Sequence, residues 1–292
     1  MLFNSWEFIA FFAIVLPLYW ALPFRAQNVL LLAASYGFYG AWDWRFTGLL
    51  ATSTVLDYVV AINIEGSTSQ RKRRALMSLS ACANLGILGF FKYTGFFVDS
   101  AGIFLERLGF EPNLPLLTIV LPVGISFYTF QTLGYTIDVY RGHQKASRDF
   151  LNYAVYVCYF PQLVAGPIER FGHLATQLAK PRTVTPESIT SGIQLIFWGY
   201  VKKVAIADSL VPYVDQAFGD PSSNHAVALW IANYCWVLQI YGDFAGYTDI
   251  ARGISRLLGV ELMLNFKQPY FSRNITEFWR RWHISLSTWL RD

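Results

Sequence analysis

The chain has 292 residues, of which 54% are hydrophobic and only 14% are charged. Ordinary soluble domains carry about 25% charged residues, so this composition favours an integral membrane protein over a soluble enzyme. The net charge of +4 is spread over separate short loops, which argues against nucleic acid as a partner. We predict an all-α, polytopic helical bundle in a lipid bilayer.

Apolar runs close to the length of about 20 residues that crosses a bilayer as a helix recur along the chain. The first run lacks the cationic segment and cleavage site of a removed signal peptide, so we interpret it as a retained span. No repeat or linker separates the runs, which predicts one domain over residues 1–292. The predicted spans are 8–22, 28–41, 44–64, 75–98, 116–139, 149–166, 188–211 and 226–246.

Charged loops predict the orientation of the first spans. The basic run at 70–74 is typical of a cytoplasmic loop, and a topological anchor is the plainer interpretation than a lipid- or nucleic-acid-binding site. This places the N-terminus outside the cytoplasm and the acidic loop 99–115 on the outer side. After residue 140 the charges conflict with strict alternation, and a re-entrant segment would remove the conflict.

Proline and glycine interrupt two apolar runs, at 121–124 (LPVG) and 160–167 (FPQLVAGP). Lipid tolerates unpaired backbone only beside protein or a water-filled cavity. A simple kink is the plainer interpretation of the first interruption. For the second, a broken segment that lines a cavity is an equal alternative, which makes Gln162 a candidate cavity-lining residue.

The run 241–249 (YGDFAGYTD) places two carboxylates near the end of a predicted span. Carboxylates are costly in lipid, so Asp243 and Asp249 are expected to face the bundle interior or an aqueous cavity. Asp249, Arg252 and Arg256 share a helical face, which also fits an interfacial amphipathic helix with its own salt bridge. Asp243 has no such local partner and is the better functional candidate.

Residues 265–292 crowd basic side chains among tryptophans, and cations beside a bilayer need a functional or topological reason. Asn274 and Glu277 have the spacing of a capping box, which predicts a helix over 275–292. On this helix Glu277 lies four residues before Arg281 and can pair with it.

On the same helix, His283 would lie below Trp279 and above Leu286. Such apolar surroundings favour the neutral imidazole, the form that accepts a proton. His283 is therefore a candidate base, although a lone histidine on an apolar face is more often structural. Arg280 is the nearest candidate for stabilising an oxyanion.

The sequence contains no Walker loop, no dinucleotide fingerprint and no G-x-S-x-G nucleophile elbow. Its three cysteines lie in separate apolar runs, and none of His143, His173 and His225 has a metal ligand three or four residues after it. We therefore predict neither a metal centre nor a disulfide framework.

Three motifs resemble the membrane-bound O-acyltransferase (MBOAT) family: FPQLVAGPI at 160–168, YGDFAGYTD at 241–249, and the block from PYFSRNI to WRRWH at 269–283. The likeness extends along the whole chain. It implies a bundle of tilted helices around a tunnel, through which an acyl group passes from a cytoplasmic thioester to a hydroxyl acceptor.

For the site, the resemblance implies that His283 matches a family histidine, and that a second, invariant histidine lies in a later helix beyond Asp292. The chain is thus expected to be the N-terminal portion of a longer protein and to be inactive alone. Supporting or cavity-lining roles are expected for Asp243, Arg280, Arg281, Trp279, Asn274 and Gln162.

For function, the resemblance implies a multi-pass protein of the bacterial inner membrane that acetylates an exported polysaccharide such as alginate. Acetyl-CoA or an acyl carrier thioester is the implied donor, with no bound cofactor, and periplasmic polysaccharide-acetylation proteins are the implied partners. Two other classes stay open. One is a transporter or flippase, because broken spans and intramembrane carboxylates fit transport. The other is a non-catalytic scaffold for periplasmic acetylation enzymes.

Overall fold

Helices make up the fold in the computed structural model, which describes residues 1–109 and 120–292. Those residues contain no β-strand, so the predicted all-α class is confirmed for them. A π-helix (Val201–Asp208) joins the ninth and tenth α-helices. The α-helices are α1 (Trp6–Ala21), α2 (Phe24–Asp43), α3 (Thr47–Glu65), α4 (Gln70–Arg107), α5 (Ile125–Arg141), α6 (Phe150–Cys158), α7 (Phe160–Leu163), α8 (Phe171–Leu178), α9 (Pro186–Tyr200), α10 (Ser209–Gly219), α11 (Ala226–Leu257), α12 (Ile275–Arg281) and α13 (Ile284–Arg291).

Two helical stretches of the described residues, Phe24–Glu65 and Gln70–Arg107, are long and apolar enough to cross a membrane. The first helix, α1, is apolar but shorter, at 16 residues. Only 11% of the most apolar window of α4 is buried. An apolar helix that faces outward is typical of contact with lipid.

Where the structure describes them, the other predicted spans overlap one or more helices, but α4 is longer than predicted. Helix α4 continues to Arg107. The prediction that an outer loop begins at residue 99 is therefore wrong, because residues 99–107 are helical. The remainder of this loop, from residue 110, and the start of the predicted span 116–139 lie outside the described residues.

Helix α6 lies at the centre of the fold. Its residues 152–158 are all buried, and α2, α3 and α8 pack around it. The side chains of Tyr153 and Tyr156 are at most 1% exposed. The helix that precedes the predicted break is therefore held by protein on several sides.

Of the two alternatives for 160–167, the structure shows a broken segment rather than a simple kink. Helix α6 ends at Cys158, and α7 forms a single turn after it. Side chains satisfy the backbone groups that the break frees: Phe160 N donates to Ser35 Oγ at 3.0 Å, and Ile168 N donates to Ser285 Oγ at 3.0 Å. Irregular backbone here is buried in protein, as the physics of an apolar surrounding requires.

The kink expected at Pro122 is wrong. Residues 120–124 are not helical, and α5 begins at Ile125 after Gly124, which has a left-handed φ of 75°. Gly124 also approaches the backbone carbonyl of Leu163 so closely that a Cβ would not fit. This contact joins the two interrupted runs, and it requires glycine.

Helices α9 and α11 pack through glycine. A Cβ built on Gly199 would lie 2.7 Å from the carbonyl oxygen of Gly246, so the two backbones meet without intervening side chains. Small residues allow such close approach between membrane helices. Just after this contact α9 widens into the π-helix, where the sequence predicted a regular span over 188–211.

Candidate active site

The helix predicted over 275–292 is broken at His283. Helix α12 ends at Arg281, and α13 begins at Ile284. His283 adopts the left-handed backbone conformation, with a φ of 42°. A residue in this conformation cannot lie within a continuous right-handed helix, so the prediction of one helix over 275–292 was wrong.

The segment 265–267 runs beside this break and holds it open with two backbone hydrogen bonds. Lys267 N donates to the carbonyl oxygen of Arg281 at 2.9 Å, and Ile284 N donates to the carbonyl oxygen of Asn265 at 2.9 Å. Both partners are more than ten residues away in sequence. Periodicity within 275–292 therefore contains no signal for the break.

The imidazole of His283 is surrounded by three phenylalanine rings, which we call the aromatic cage. The ring centroid of Phe244 lies 4.7 Å from that of His283 in an edge-to-face arrangement. Phe127 lies at 6.3 Å, and Phe266 lies nearly parallel at 6.4 Å. The predicted stack on Trp279 is wrong, because the indole is 54% exposed.

Burial in the aromatic cage lowers the pKa of His283 to about 4. Apolar rings replace water around the imidazolium and disfavour its charge. The Nε2 atom is buried and makes no hydrogen bond within the described parts of the chain. The site thus holds a neutral imidazole with a nitrogen available to accept a proton.

Asn274 caps α12 as predicted, since its Oδ1 accepts a hydrogen bond from Glu277 N at 2.9 Å. Glu277 accepts from Arg273 N at 2.9 Å rather than from the N-cap itself, so the capping box is displaced by one residue. The predicted pair between Glu277 and Arg281 is confirmed at 2.5 Å. The side chain of Arg280 is exposed.

The carboxylates of α11 have partners that the sequence did not reveal. Asp243 has no partner on its own helix, as expected, but it lies 2.6 Å from Lys203 Nζ of another helix, and its side chain is 56% exposed rather than buried in the bundle. Asp249 lies 2.5 Å from Lys202 Nζ, whereas its distance to the guanidinium of Arg252 is longer, at 3.9 Å. Both lysines belong to the π-helix, and the sequence composition does not predict a π-helix at this position.

Arg252 and Arg256 both pair with Glu261, and Arg252 also keeps the expected salt bridge to Asp249 of its own helix, at 3.9 Å. The shortest distances to Glu261 are 3.2 Å for Arg252 and 2.6 Å for Arg256. Gln177 of α8 also binds Glu261, donating to its carbonyl oxygen and accepting from its N, both at 2.9 Å. These contacts hold Glu261, which lies between α11 and the segment 265–267, against α8 and α11.

A carboxylate–imidazole pair that the sequence analysis missed holds the same part of the chain in place through Met263. Glu169 Oε1 accepts from Met263 N at 2.5 Å, and Glu169 Oε2 lies 2.6 Å from His173 Nδ1. Burial raises the pKa of Glu169, and the hydrogen bond to Glu169 raises the pKa of His173. The spacing of four residues between the two was the available signal.

Gln162 lies in the buried break rather than beside His283. Its Nε2 donates to the carbonyl oxygen of Tyr156 at 3.0 Å, and its Oε1 is buried without a partner among the described residues. The structure therefore brings His283 together with Phe127, Phe244 and Phe266, whereas Gln162 binds the backbone of Tyr156.

Residues 143–292, which contain most of this site, match the sequence profile of the MBOAT, membrane-bound O-acyltransferase family. The matched range includes the break at 160–167, both carboxylates of α11 and the whole aromatic cage except Phe127. The chain belongs to the membrane-bound O-acyltransferase family.

Two relatives extend this match over the full chain, and a third matches part of it. The chain is 44% identical to the probable alginate O-acetylase AlgI of Azotobacter vinelandii and covers 58% of that protein. It is 33% identical to the peptidoglycan O-acetyltransferase of Helicobacter pylori, covering 60% of it. Over 62% of its length it is 29% identical to the teichoic acid D-alanyltransferase of Bacillus subtilis, covering 47% of that protein. The chain thus spans about three fifths of the length of the first two relatives.

Proposed function

We propose that the full-length protein is an O-acyltransferase of the bacterial inner membrane, with many spans that form one domain around a tunnel. It transfers an acetyl group from a cytoplasmic thioester, acetyl-CoA or an acyl carrier protein, to hydroxyl groups of exported alginate. The names of the Azotobacter vinelandii and Helicobacter pylori relatives support acetyl transfer to a glycan. The observation that carries the proposal is the neutral, caged imidazole of His283 inside the family segment.

The transfer needs little beyond a base and a charge-stabilising group, because a thioester carbonyl is already activated. The acceptor oxygen attacks the carbonyl carbon, a C–O bond forms, the C–S bond breaks, and the acceptor proton passes finally to the departing sulfur. His283 takes this proton or supports the group that does. A positioned histidine contributes about 10²–10⁴-fold by proton transfer. A second histidine, outside residues 1–292, completes the site.

Other side chains support this site or line the route to it. Asn274 and Arg281 stabilise α12, the helix that leads to His283. Arg280 and Trp279 are exposed on the same helix and face the approaching donor. Asp243 precedes the cage residue Phe244, and Gln162, within the break, offers an amide oxygen that has no partner among the described residues.

The proposed surroundings follow from the same chemistry. The protein lies in the lipid bilayer, receives the donor from the cytoplasm and binds no resident cofactor, because the acyl group arrives already activated. Periplasmic polysaccharide-acetylation proteins take up or direct the acyl group on the other side.

The test uses the purified full-length protein in liposomes, with a thioester labelled in its acetyl group and alginate as acceptor. We expect label to become covalently attached to alginate hydroxyls. Substrate flux across the liposome membrane without a thioester, and without covalent label, would instead identify a transporter. In cells that contain the periplasmic acetylation enzymes, polymer acetylation that persists after all the candidate polar side chains are neutralised would identify a scaffold.

A further inference from the structure

One asparagine outside the candidate residues contacts the backbone on the C-terminal side of His283. Asn265 is completely buried, and its carbonyl oxygen accepts the hydrogen bond from Ile284 N described above. Its side-chain Oδ1 accepts two more, from Ser285 N at 3.2 Å and from Ser285 Oγ at 2.7 Å. A single residue therefore binds both residues that follow the left-handed histidine.

Ser285 extends this contact to the broken segment. Its hydroxyl donates to Asn265 and accepts from Ile168 N at 3.0 Å, and both Ser285 and Ile168 are at least 96% buried. Asn265, Ser285 and Ile168 thus form a hydrogen-bonded chain between three segments. In a buried environment each of these bonds is costly to lose, because no water replaces the missing partner.

We infer that Asn265 is a positioning residue for His283. A left-handed conformation is unfavourable for histidine, so the surrounding contacts must impose it. The bonds from Ile284 and Ser285 to Asn265 supply this constraint on the C-terminal side. Phe266, the next residue, places one ring of the aromatic cage. Asn265 thereby fixes both the backbone of His283 and one wall around its imidazole.

The hydrogen bonds of Asn265 suggest a conservative replacement. The residue uses only its oxygens here, and its Nδ2 makes no hydrogen bond to any residue that the structure describes. Asn265→Asp keeps the shape and the acceptor and takes up a proton where burial disfavours its charge. Asn265→Ala removes the acceptor. Asn28→Ala is the matched control, since Asn28 is also buried and donates to the carbonyl oxygen of Leu178 at 2.9 Å.

The experiment measures the chemical accessibility of His283 in the full-length protein. Diethyl pyrocarbonate modifies neutral imidazoles, and mass spectrometry of the peptide that contains residue 283 gives the rate of modification. We expect slow modification in the wild-type protein and in Asn28→Ala, a several-fold faster rate in Asn265→Ala, and a return toward the wild-type rate in Asn265→Asp. An unchanged rate in Asn265→Ala would overturn the positioning role.

A second measurement separates this inference from the proposed function on which it rests. If His283 takes part in acyl transfer, Asn265→Ala lowers kcat by about 10²-fold, as a misplacement of about 1 Å can, and leaves the KM for the thioester unchanged. Faster modification with unchanged transfer would uphold the positioning role and remove His283 from the reaction. If Asn265→Ala does not accumulate, Ser285→Ala serves instead, and an unchanged modification rate in that variant would equally overturn the inference.

Discussion

Two regions of the molecule bury polar side chains, and they differ in how completely these groups are satisfied. Between α3 and α4, the buried Asp57 accepts from Ser80 Oγ at 2.5 Å and from Asn84 Nδ2 at 2.8 Å. Around the break between α12 and α13, His283 Nε2 and Asn265 Nδ2 are buried without partners in the described structure. We call the first region the Asp57 network.

The different degrees of hydrogen bonding suggest different roles for the two regions, one in stability and one in the reaction. Buried polar groups are nearly always hydrogen-bonded, and a complete network fixes the packing of the elements that share it. An unpartnered buried nitrogen is unfavourable unless another molecule uses it. The Asp57 network is therefore expected to support stability, and the His283 region to support the reaction.

The largest expected effect is the loss of acetyl transfer in His283→Ala of the full-length protein. Removing a positioned base lowers the rate by about 10²–10⁴-fold. The melting temperature should change little, because the imidazole Nε2 makes no hydrogen bond within the described residues. Acetyl content of the polymer measures the effect, with the exposed His143→Ala as control. Normal acetylation at normal expression would assign His283 a structural role.

The opposite pattern is expected for Asp57→Leu. The replacement removes the acceptor of the buried Ser80 hydroxyl and one of the two acceptors of Asn84 Nδ2, which also donates to the carbonyl oxygen of Ser80. An unsatisfied buried donor costs about 1–3 kcal/mol. The free energy of unfolding in detergent should fall by a few kcal/mol, while transfer per folded molecule is retained. Asp57→Asn, which keeps the size and one acceptor, is the control. A loss of transfer larger than the loss of folded protein would break the distinction between the two regions.

The pH dependence of the reaction follows from the lowered pKa of His283, about 4. The neutral base persists above that pH, so kcat/KM limited by His283 should stay level from pH 7 to pH 5 and halve near pH 4. A histidine with the ordinary pKa of about 6.5 would lose about 90% of its neutral form by pH 5.5. Melting temperatures at each pH control for titration of the Glu169–His173 pair. A midpoint near 6.5 would show that the aromatic cage does not exclude water in solution.

The smallest effect is expected at the start of α12. Asn274→Ala removes the side chain that accepts from Glu277 N and should lower the free energy of unfolding by about 1 kcal/mol. Asn274→Gly should cost only a few tenths of a kcal/mol, because glycine is tolerated at an N-cap. Thermal unfolding of the full-length protein measures both. Equal losses in the two variants would contradict a capping role.

Local signals in the sequence were sufficient for the elements that depend on local interactions. Apolar length located the helices, the prolines located the break at 160–167, and the Asn274 spacing located the start of α12. The lone Asp57 within the apolar run 44–64 was a further local signal, for the Asp57 network.

Features that depend on distant segments could not be predicted. The left-handed turn at His283 results from hydrogen bonds to Asn265 and Lys267, which the helical period of 275–292 does not contain. The partner of Asp243 is a lysine of the π-helix, about forty residues earlier in the chain. Tertiary contacts decided both features.

The left-handed backbone of His283 also bears on how this region responds to selection. Glycine adopts this conformation freely, and asparagine does so more readily than other residues with side chains. Selection for thermostability alone would thus favour replacing the histidine at position 283 with one of them. Such variants would gain stability while losing the imidazole. Selection for stability and selection for activity therefore favour different residues at position 283.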